Sequence, residues 1–232
     1  MSQKNLDIKV LNQDQNDFDL SFKLIVIGDS GVGKSCLSIK ATKNTFDSIY
    51  SPTIGFEFMT FFISIGDVNI KLQIWDTCGQ EVYRSLISSF YHNSSLAILV
   101  YAIDDRNSFI NLDSWLNEVR TKGNPDINLF LIGNKVDLEN KRVITKDMAN
   151  EFAKNNNIKT FFETSAKTGF NAQNVFIEAA KLLYDQHLAY KDRVSRPDSL
   201  AHLNDNMNQN IIMEEIQEEE ESNRQNKRKK CC

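Results

Sequence analysis

Eight consecutive residues, Gly28-Asp29-Ser30-Gly31-Val32-Gly33-Lys34-Ser35, constrain this chain more than any others. They match G-x-x-x-x-G-K-[ST], a loop whose chemistry requires a strand before it and a helix after it. The context fits: the apolar run Leu24-Ile25-Val26-Ile27 precedes the loop and a helical stretch follows. The glycines let backbone N–H groups turn inward on phosphate oxygens, and the helix N-terminus adds the positive end of its dipole. Ser30, Gly31, Val32 and Gly33 then form the cradle. Lys34 reaches the β- and γ-phosphates, and the Ser35 hydroxyl is a ligand for Mg²⁺. Cys36 completes the loop contacts and packs behind them as a small apolar residue. The motif implies a nucleoside triphosphate and leaves the base open.

The rest of the chain supplies a sheet for this loop. Leu96–Tyr101 and Leu129–Ile132 are further unbroken apolar runs, the pattern of parallel strands covered on both faces. Val68, Ile70, Leu72 and Ile74 instead alternate with polar residues, as do Phe61, Ile63 and Ile65, with Gly66-Asp67 between them as a hairpin turn. Phe109, Leu112, Leu116 and Val119 recur at helical spacing, with Trp115 beside them on the apolar face. Further helices are expected over Lys146–Lys154 and from about Ala172 to His187. Strands alternating with helices predict a doubly wound α/β domain. The expected division is a flexible extension over 1–20, the domain over 21–190, and a disordered polar tail over 191–232.

Composition excludes several classes. The formal net charge of −4 gives no reason to expect nucleic-acid binding, and the six glutamates within 214–221 belong to the tail. Four cysteines, Cys36, Cys78, Cys231 and Cys232, have neither zinc nor disulfide-framework spacing, which favours a reducing compartment. No apolar run approaches the ~20 residues that span a bilayer. The first 20 residues lack the apolar core of a secretory signal, and Met-Ser at the start is not a myristoylation signal.

Two further loops read the base. Asn134-Lys135-Val136-Asp137 follows the strand ending at Ile132, at the strand end where open α/β sheets bind ligands. A carboxylate at Asp137 accepts both the N1–H and the N2 amine protons of guanine; adenine offers no such pair and would leave the carboxylate unpaired. Asn134 ties the loops together and the Lys135 stem lies over the base. Ser165-Ala166-Lys167 follows the short strand Thr160–Glu163, and the Ala166 amide faces the guanine carbonyl. A third loop, Trp75-Asp76-Thr77-Cys78-Gly79-Gln80-Glu81, closes the alternating strand: Asp76 can hold Mg²⁺ through water, Gly79 can offer its amide to a γ-phosphate and Gln80 can orient an attacking water.

With four ordered nucleotide motifs, the chain resembles the small GTPases of the Ras superfamily, and within them the Rab family, over about residues 20–190 and the last two residues. The resemblance implies a six-stranded, mostly parallel sheet with one antiparallel strand and helices on both faces. It implies that Phe46 stacks on guanine, Tyr50 closes over the phosphates and Thr53 ligates Mg²⁺ in the GTP state. Phe58, Trp75 and Phe90 match an aromatic triad read by Rab effectors. Cys78 stands where the family usually has alanine, Phe90 where it has tyrosine, and Ala102 where it has aspartate.

The function implied is a GTP/GDP switch in vesicle trafficking: a monomer that hydrolyses GTP slowly and recruits effector proteins while GTP is bound. The alternative is a GTP-binding recruitment module with negligible hydrolysis. No arginine stands in an obvious position to assist in cis, so a GTPase-activating protein is expected to supply one. By resemblance the partners also include an exchange factor, a GDP-dissociation inhibitor and the prenylation machinery. Cys231 and Cys232 match a geranylgeranylated terminus. Two lipids are needed because one chain anchors only marginally. Arg224, Lys227, Arg228, Lys229 and Lys230 would add attraction to anionic lipids, at about 1 kcal/mol each. The implied location is the cytoplasmic face of an intracellular membrane, with a cytosolic pool.

Overall fold

Strands buried on both faces decide how this chain folds. In the computed structural model, which describes residues 7–12, 17–47, 53, 55–79 and 90–194, Leu24 and Val26 face one layer of the molecule and Ile25 and Ile27 the other. A strand with apolar side chains on both faces needs a helical layer on each. The chain divides into Met1–Asp185, which carries the sheet, and Gln186–Cys232, of which only residues 186–194 are described.

Among the described residues seven strands form one sheet: β1 Ile8–Val10, β2 Leu20–Ile27, β3 Phe56–Ile65, β4 Val68–Thr77, β5 Leu96–Ala102, β6 Asn128–Asn134 and β7 Thr160–Glu163. Their spatial order is β1-β3-β4-β2-β5-β6-β7. Only β3 runs against the others, paired antiparallel with β4 through the turn at Gly66-Asp67 and with β1 on its outer side. β2 sits centrally, parallel to β4 and to β5. The helices are α1 Lys34–Lys43, α2 Arg106–Ile110, α3 Leu112–Lys122, α4 Lys146–Asn155 and α5 Ala172–Val194. Leu37 and Ala41 of α1, with Val175, Phe176 and Ala179 of α5, cover the Leu24/Val26 face. Trp115, Leu116 and Val119 of α3, with Ala149 and Ala153 of α4, cover the other. The doubly wound reading is therefore correct, with the phosphate loop at the C-terminal end of the central strand.

The structure corrects the sequence reading at three places. The sheet has a seventh strand, since Ile8–Val10 lies within the stretch read as a flexible extension and pairs with Ile63–Ile65. Three residues are too short to show alternation, and their stability comes from the otherwise open edge of β3. The helix read through Phe109–Val119 is two, α2 and α3, meeting at Asn111. Asp105 starts the first by accepting N–H bonds from Asn107 and Ser108. The last helix continues past His187 to Val194. Among the described residues no helix is long and apolar enough to cross a membrane. α5 takes up the first four residues of the expected tail, Lys191 to Val194; the rest of it, with Cys231 and Cys232, lies outside the described residues, as do Tyr50 and Gln80.

β1 borders only the far end of β3, whereas Phe176 is fully buried in the main core. Deleting residues 1–12 is expected to lower the melting temperature by a few degrees and leave nucleotide affinity within about twofold. Phe176→Ala should cost ~3–5 kcal/mol in chemical denaturation. A large loss of affinity in the deletion would contradict this division.

Candidate functional site

The phosphate loop is shaped by close backbone approaches. A Cβ on Gly28, whose φ is 140°, would lie 2.1 Å from the Val100 carbonyl oxygen, and one on Gly33, at φ 92°, would lie 2.5 Å from Asn134 Nδ2. Only glycine satisfies both conformation and space. Gly33 leads into α1 without any side-chain cap, so the first N–H groups of that helix face the loop. By contrast α2 and α4 are capped, by Asp105 and Thr145. A helix start without a side-chain cap, at the floor of a cavity, suits an anion.

Lys34 crosses this loop. Its ammonium donates to the carbonyls of Gly28 and Asp29, both at 2.8 Å. Burial pushes its pKa down to about 8, opposed by the carboxylates of Asp76 and Asp29. Ser35 is next, and its hydroxyl touches the carboxylate of Asp76 and lies 2.7 Å from Thr53 Oγ1. Burial raises Asp76 to about 7, against the Ser35 hydrogen bond and the nearby Lys34. Its second oxygen, Oδ1, is buried without a hydrogen-bond partner. Three hard oxygen donors meeting beside an orphaned carboxylate oxygen fit Mg²⁺, which prefers such ligands.

Gly79 and Gly55 complete this side. A Cβ on Gly79 would lie 2.3 Å from both the carbonyl carbon of Asp29 and the nitrogen of Ser30, so this glycine rests on the loop backbone. The Cys78 N–H donates to the Gly55 carbonyl at 3.0 Å, linking the segment after β4 to the segment before β3. Cys78 itself is buried among Ile25, Ile27 and Tyr91, the surroundings of a small apolar residue. Ser30, Gly33, Lys34, Ser35, Thr53 and Gly79 border a cavity of about 170 Å³, with Cys36 in its wall. That is below the ~300–1,000 Å³ of a pocket enclosing a whole drug-sized ligand, so it suits the phosphate end of a nucleotide.

The two loops expected to read the base converge on Asn134, whose side chain is almost completely buried. Its Nδ2 donates to the Val32 carbonyl at 2.9 Å, and its Oδ1 accepts from Thr164 Oγ1 at 3.1 Å and from the Ala166 N–H at 3.2 Å. Ser165 Oγ donates to Asp137 at 2.6 Å and accepts the Thr168 N–H. Lys135, at φ 69°, turns the chain out of β6, and its ammonium is 3.9 Å from Asp104. Lys167 is exposed, and Phe46 is exposed beyond the end of α1. The Ala166 amide expected at the guanine carbonyl is here engaged by Asn134. Thr164 was missed by sequence reading; its only signal is its place immediately before Ser165.

A second cluster lies on the exposed side of β3 and β4. Trp75 is 5.3 Å from Phe58 and 4.9 Å from Phe90 between ring centroids, which brings the three expected aromatics together. Phe56 joins them, 4.7 Å from Phe90 and 5.3 Å from Trp75, and was not singled out from sequence. Phe56 and Phe58 remain 44% and 46% exposed, more than core packing explains.

The family model described as "Ras family" matches residues 23–185, and the chain belongs to that family. It is a GTP-binding and GTP-hydrolysing module of the Ras superfamily.

The raised Asp76 sets a pH dependence with a definite sign. A folded pKa above the unfolded value of 3.8 means the native state binds the extra proton between about pH 4 and 7. Its stabilising contribution is full below the lower value and is lost as pH rises through about 7. Protein stripped of nucleotide and Mg²⁺ should therefore lose stability across that window, and Asp76→Asn should flatten the loss, gaining on the order of a few kcal/mol near pH 7. Denaturation midpoints from pH 4 to 8 check this; parallel curves for wild type and variant would contradict it.

Proposed function

We propose that this Ras-family chain is a Rab-like switch that regulates intracellular vesicle trafficking from the cytoplasmic face of a membrane. It recruits effector proteins while GTP is bound and hydrolyses the nucleotide slowly. The observation that carries the switch is the meeting of Ser35, Thr53, Asp76 and Gly79 at one loop. Thr53 and Gly79 come from segments on opposite sides of the β3–β4 hairpin, so a ligand that both segments sense can hold them together.

In this reading Lys34, held by two loop carbonyls, offers its charge to the β- and γ-phosphates. Ser35, Thr53 and Asp76 would hold Mg²⁺, which when bound neutralises charge on those phosphates. Asp137, oriented by Ser165, accepts the two guanine donors. Thr53 and Gly79 meet the γ-phosphate end, and Gln80 positions the attacking water. Once the γ-phosphate leaves, both segments lose their common partner and relax. A partner-supplied arginine would accelerate that step by roughly 10³–10⁵.

The Rab assignment is supported by the grouped rings of Phe58, Trp75 and Phe90, a rigid aromatic face of the kind protein partners favour. Geranylgeranyl groups on Cys231 and Cys232 would give the membrane anchor. Regulators of the family, namely an exchange factor, a GTPase-activating protein and a GDP-dissociation inhibitor, are the expected partners.

A single-turnover assay tests the hydrolysing switch against the non-hydrolysing module. Gln80→Leu should slow phosphate release at least about tenfold with GTP affinity unchanged; equal rates would remove Gln80 from catalysis. Intact mass measurement of protein from its own cells should show two added isoprenoid chains, and an unmodified terminus would end the anchor proposal.

A further inference from the structure

Asp29, the second residue of the phosphate loop, has a carboxylate that points away from the site and meets two donors from the far layer. Trp115 Nε1 donates to its Oδ1 at 2.8 Å, and Asn111 Nδ2 to its Oδ2 at 2.7 Å. Trp115 is a fully buried residue of α3 and Asn111 is the residue at which α3 begins. The same residue acts through its backbone as well. Its carbonyl accepts from Lys34 Nζ, and the peptide joining it to Ser30 is the surface on which Gly79 rests.

A carboxylate beside a polyanion site is electrostatically unfavourable, and mere filling of this space would be better served by an apolar side chain. What a carboxylate supplies is two strong acceptors and no donor, matched here by two N–H groups in fixed positions. Three consequences meet in one residue: α3 is fixed relative to the loop, Lys34 is held in place, and Gly79 has a defined seat.

We propose that Asp29 is a positioning residue: braced by Trp115 and Asn111, it fixes the Asp29–Ser30 peptide and thereby slows the release of bound nucleotide. Movement of α3 would act on the phosphate loop through this brace, without any contact between the helix and the ligand. The inference rests on the nucleotide-binding reading above and deepens it by naming what holds the loop.

The test uses the full chain loaded with fluorescent GDP and Mg²⁺, chased with excess unlabelled GDP. Asp29→Ala and Trp115→Phe should each release nucleotide about tenfold faster, the size expected for losing a hydrogen bond to a charged acceptor. Their combination should be no faster than Asp29→Ala alone, because the alanine already removes the acceptor of the indole N–H. Asp29→Asn should fall between wild type and Asp29→Ala, at about two- to threefold faster release, since its amide oxygen keeps the indole bond without the charge. Should Asp29→Ala fail to fold, Asn111→Ala at an exposed donor carries the same prediction, at about two- to threefold.

In the NMR spectrum the indole N–H signal lost in Trp115→Phe should move in Asp29→Ala and stay near its place in Asp29→Asn. Wild-type release rates in Asp29→Ala and Trp115→Phe, additive effects in the double variant, or Asp29→Asn releasing as fast as Asp29→Ala would each overturn the proposal. So would an indole signal indifferent to residue 29. A wild-type chain that holds no guanine nucleotide would instead sink the binding reading before any variant is compared, and the proposal with it.

Discussion

One buried side-chain amide holds the ligand end of this molecule together. Asn134 at the tip of β6 donates to the phosphate loop at Val32 and accepts from Thr164 and Ala166 in the loop after β7. Three segments far apart in the chain are thereby fixed to within a hydrogen-bond length of one another. The network is fully satisfied, which is what makes a buried polar group stabilising rather than costly. Gly33 follows from it: any side chain there would strike the Asn134 amide. Replacing Asn134 by an apolar residue would leave a hydroxyl, an amide N–H and a carbonyl without their partner at once.

Around that fixed point the buried charges suit an anion on one side and a cation on the other. Lys34 and Asp76 are buried and both are pushed toward neutrality, about 8 and about 7 respectively, by the loss of water. Asp76 keeps one oxygen without a partner. A phosphate near Lys34 and a cation near Asp76 would each restore the charged form, so binding and ionisation favour each other. Ligand would then offset the part of the burial cost that the loop carbonyls and Ser35 leave uncompensated, and so add to the domain's stability.

The sequence was most legible where chemistry dictates residue type at fixed spacing. Gly28–Ser35 announces itself because glycines and a lysine must stand where they do. The strands β5 and β6 show as unbroken apolar runs, and the β3–β4 hairpin shows as alternation around Gly66-Asp67. What could not be read depends on contacts between distant segments. The strand Ile8–Val10 exists because β3 offers an edge, and nothing in three residues says so. The break at Asn111 interrupts a periodicity that continues unbroken from Phe109 to Val119. The bond from Trp115 to Asp29 spans 86 positions, and the helical spacing of Trp115 marks it only as core. Phe56 reads as one more strand residue until Trp75 and Phe90 are seen beside it.

The central claim is that the site selects guanine through the carboxylate of Asp137. Binding of GTP, ATP and XTP to wild type and Asp137→Asn, by titration calorimetry in Mg²⁺, tests it most directly. Xanthine carries a carbonyl where guanine has its amine, so an amide at residue 137 can donate to xanthine but cannot serve both guanine donors. The account predicts that wild type prefers GTP to ATP by at least about a hundredfold, and that the variant reverses in favour of XTP over GTP. Comparable ATP and GTP affinities in wild type, or a variant that still prefers GTP, would contradict it.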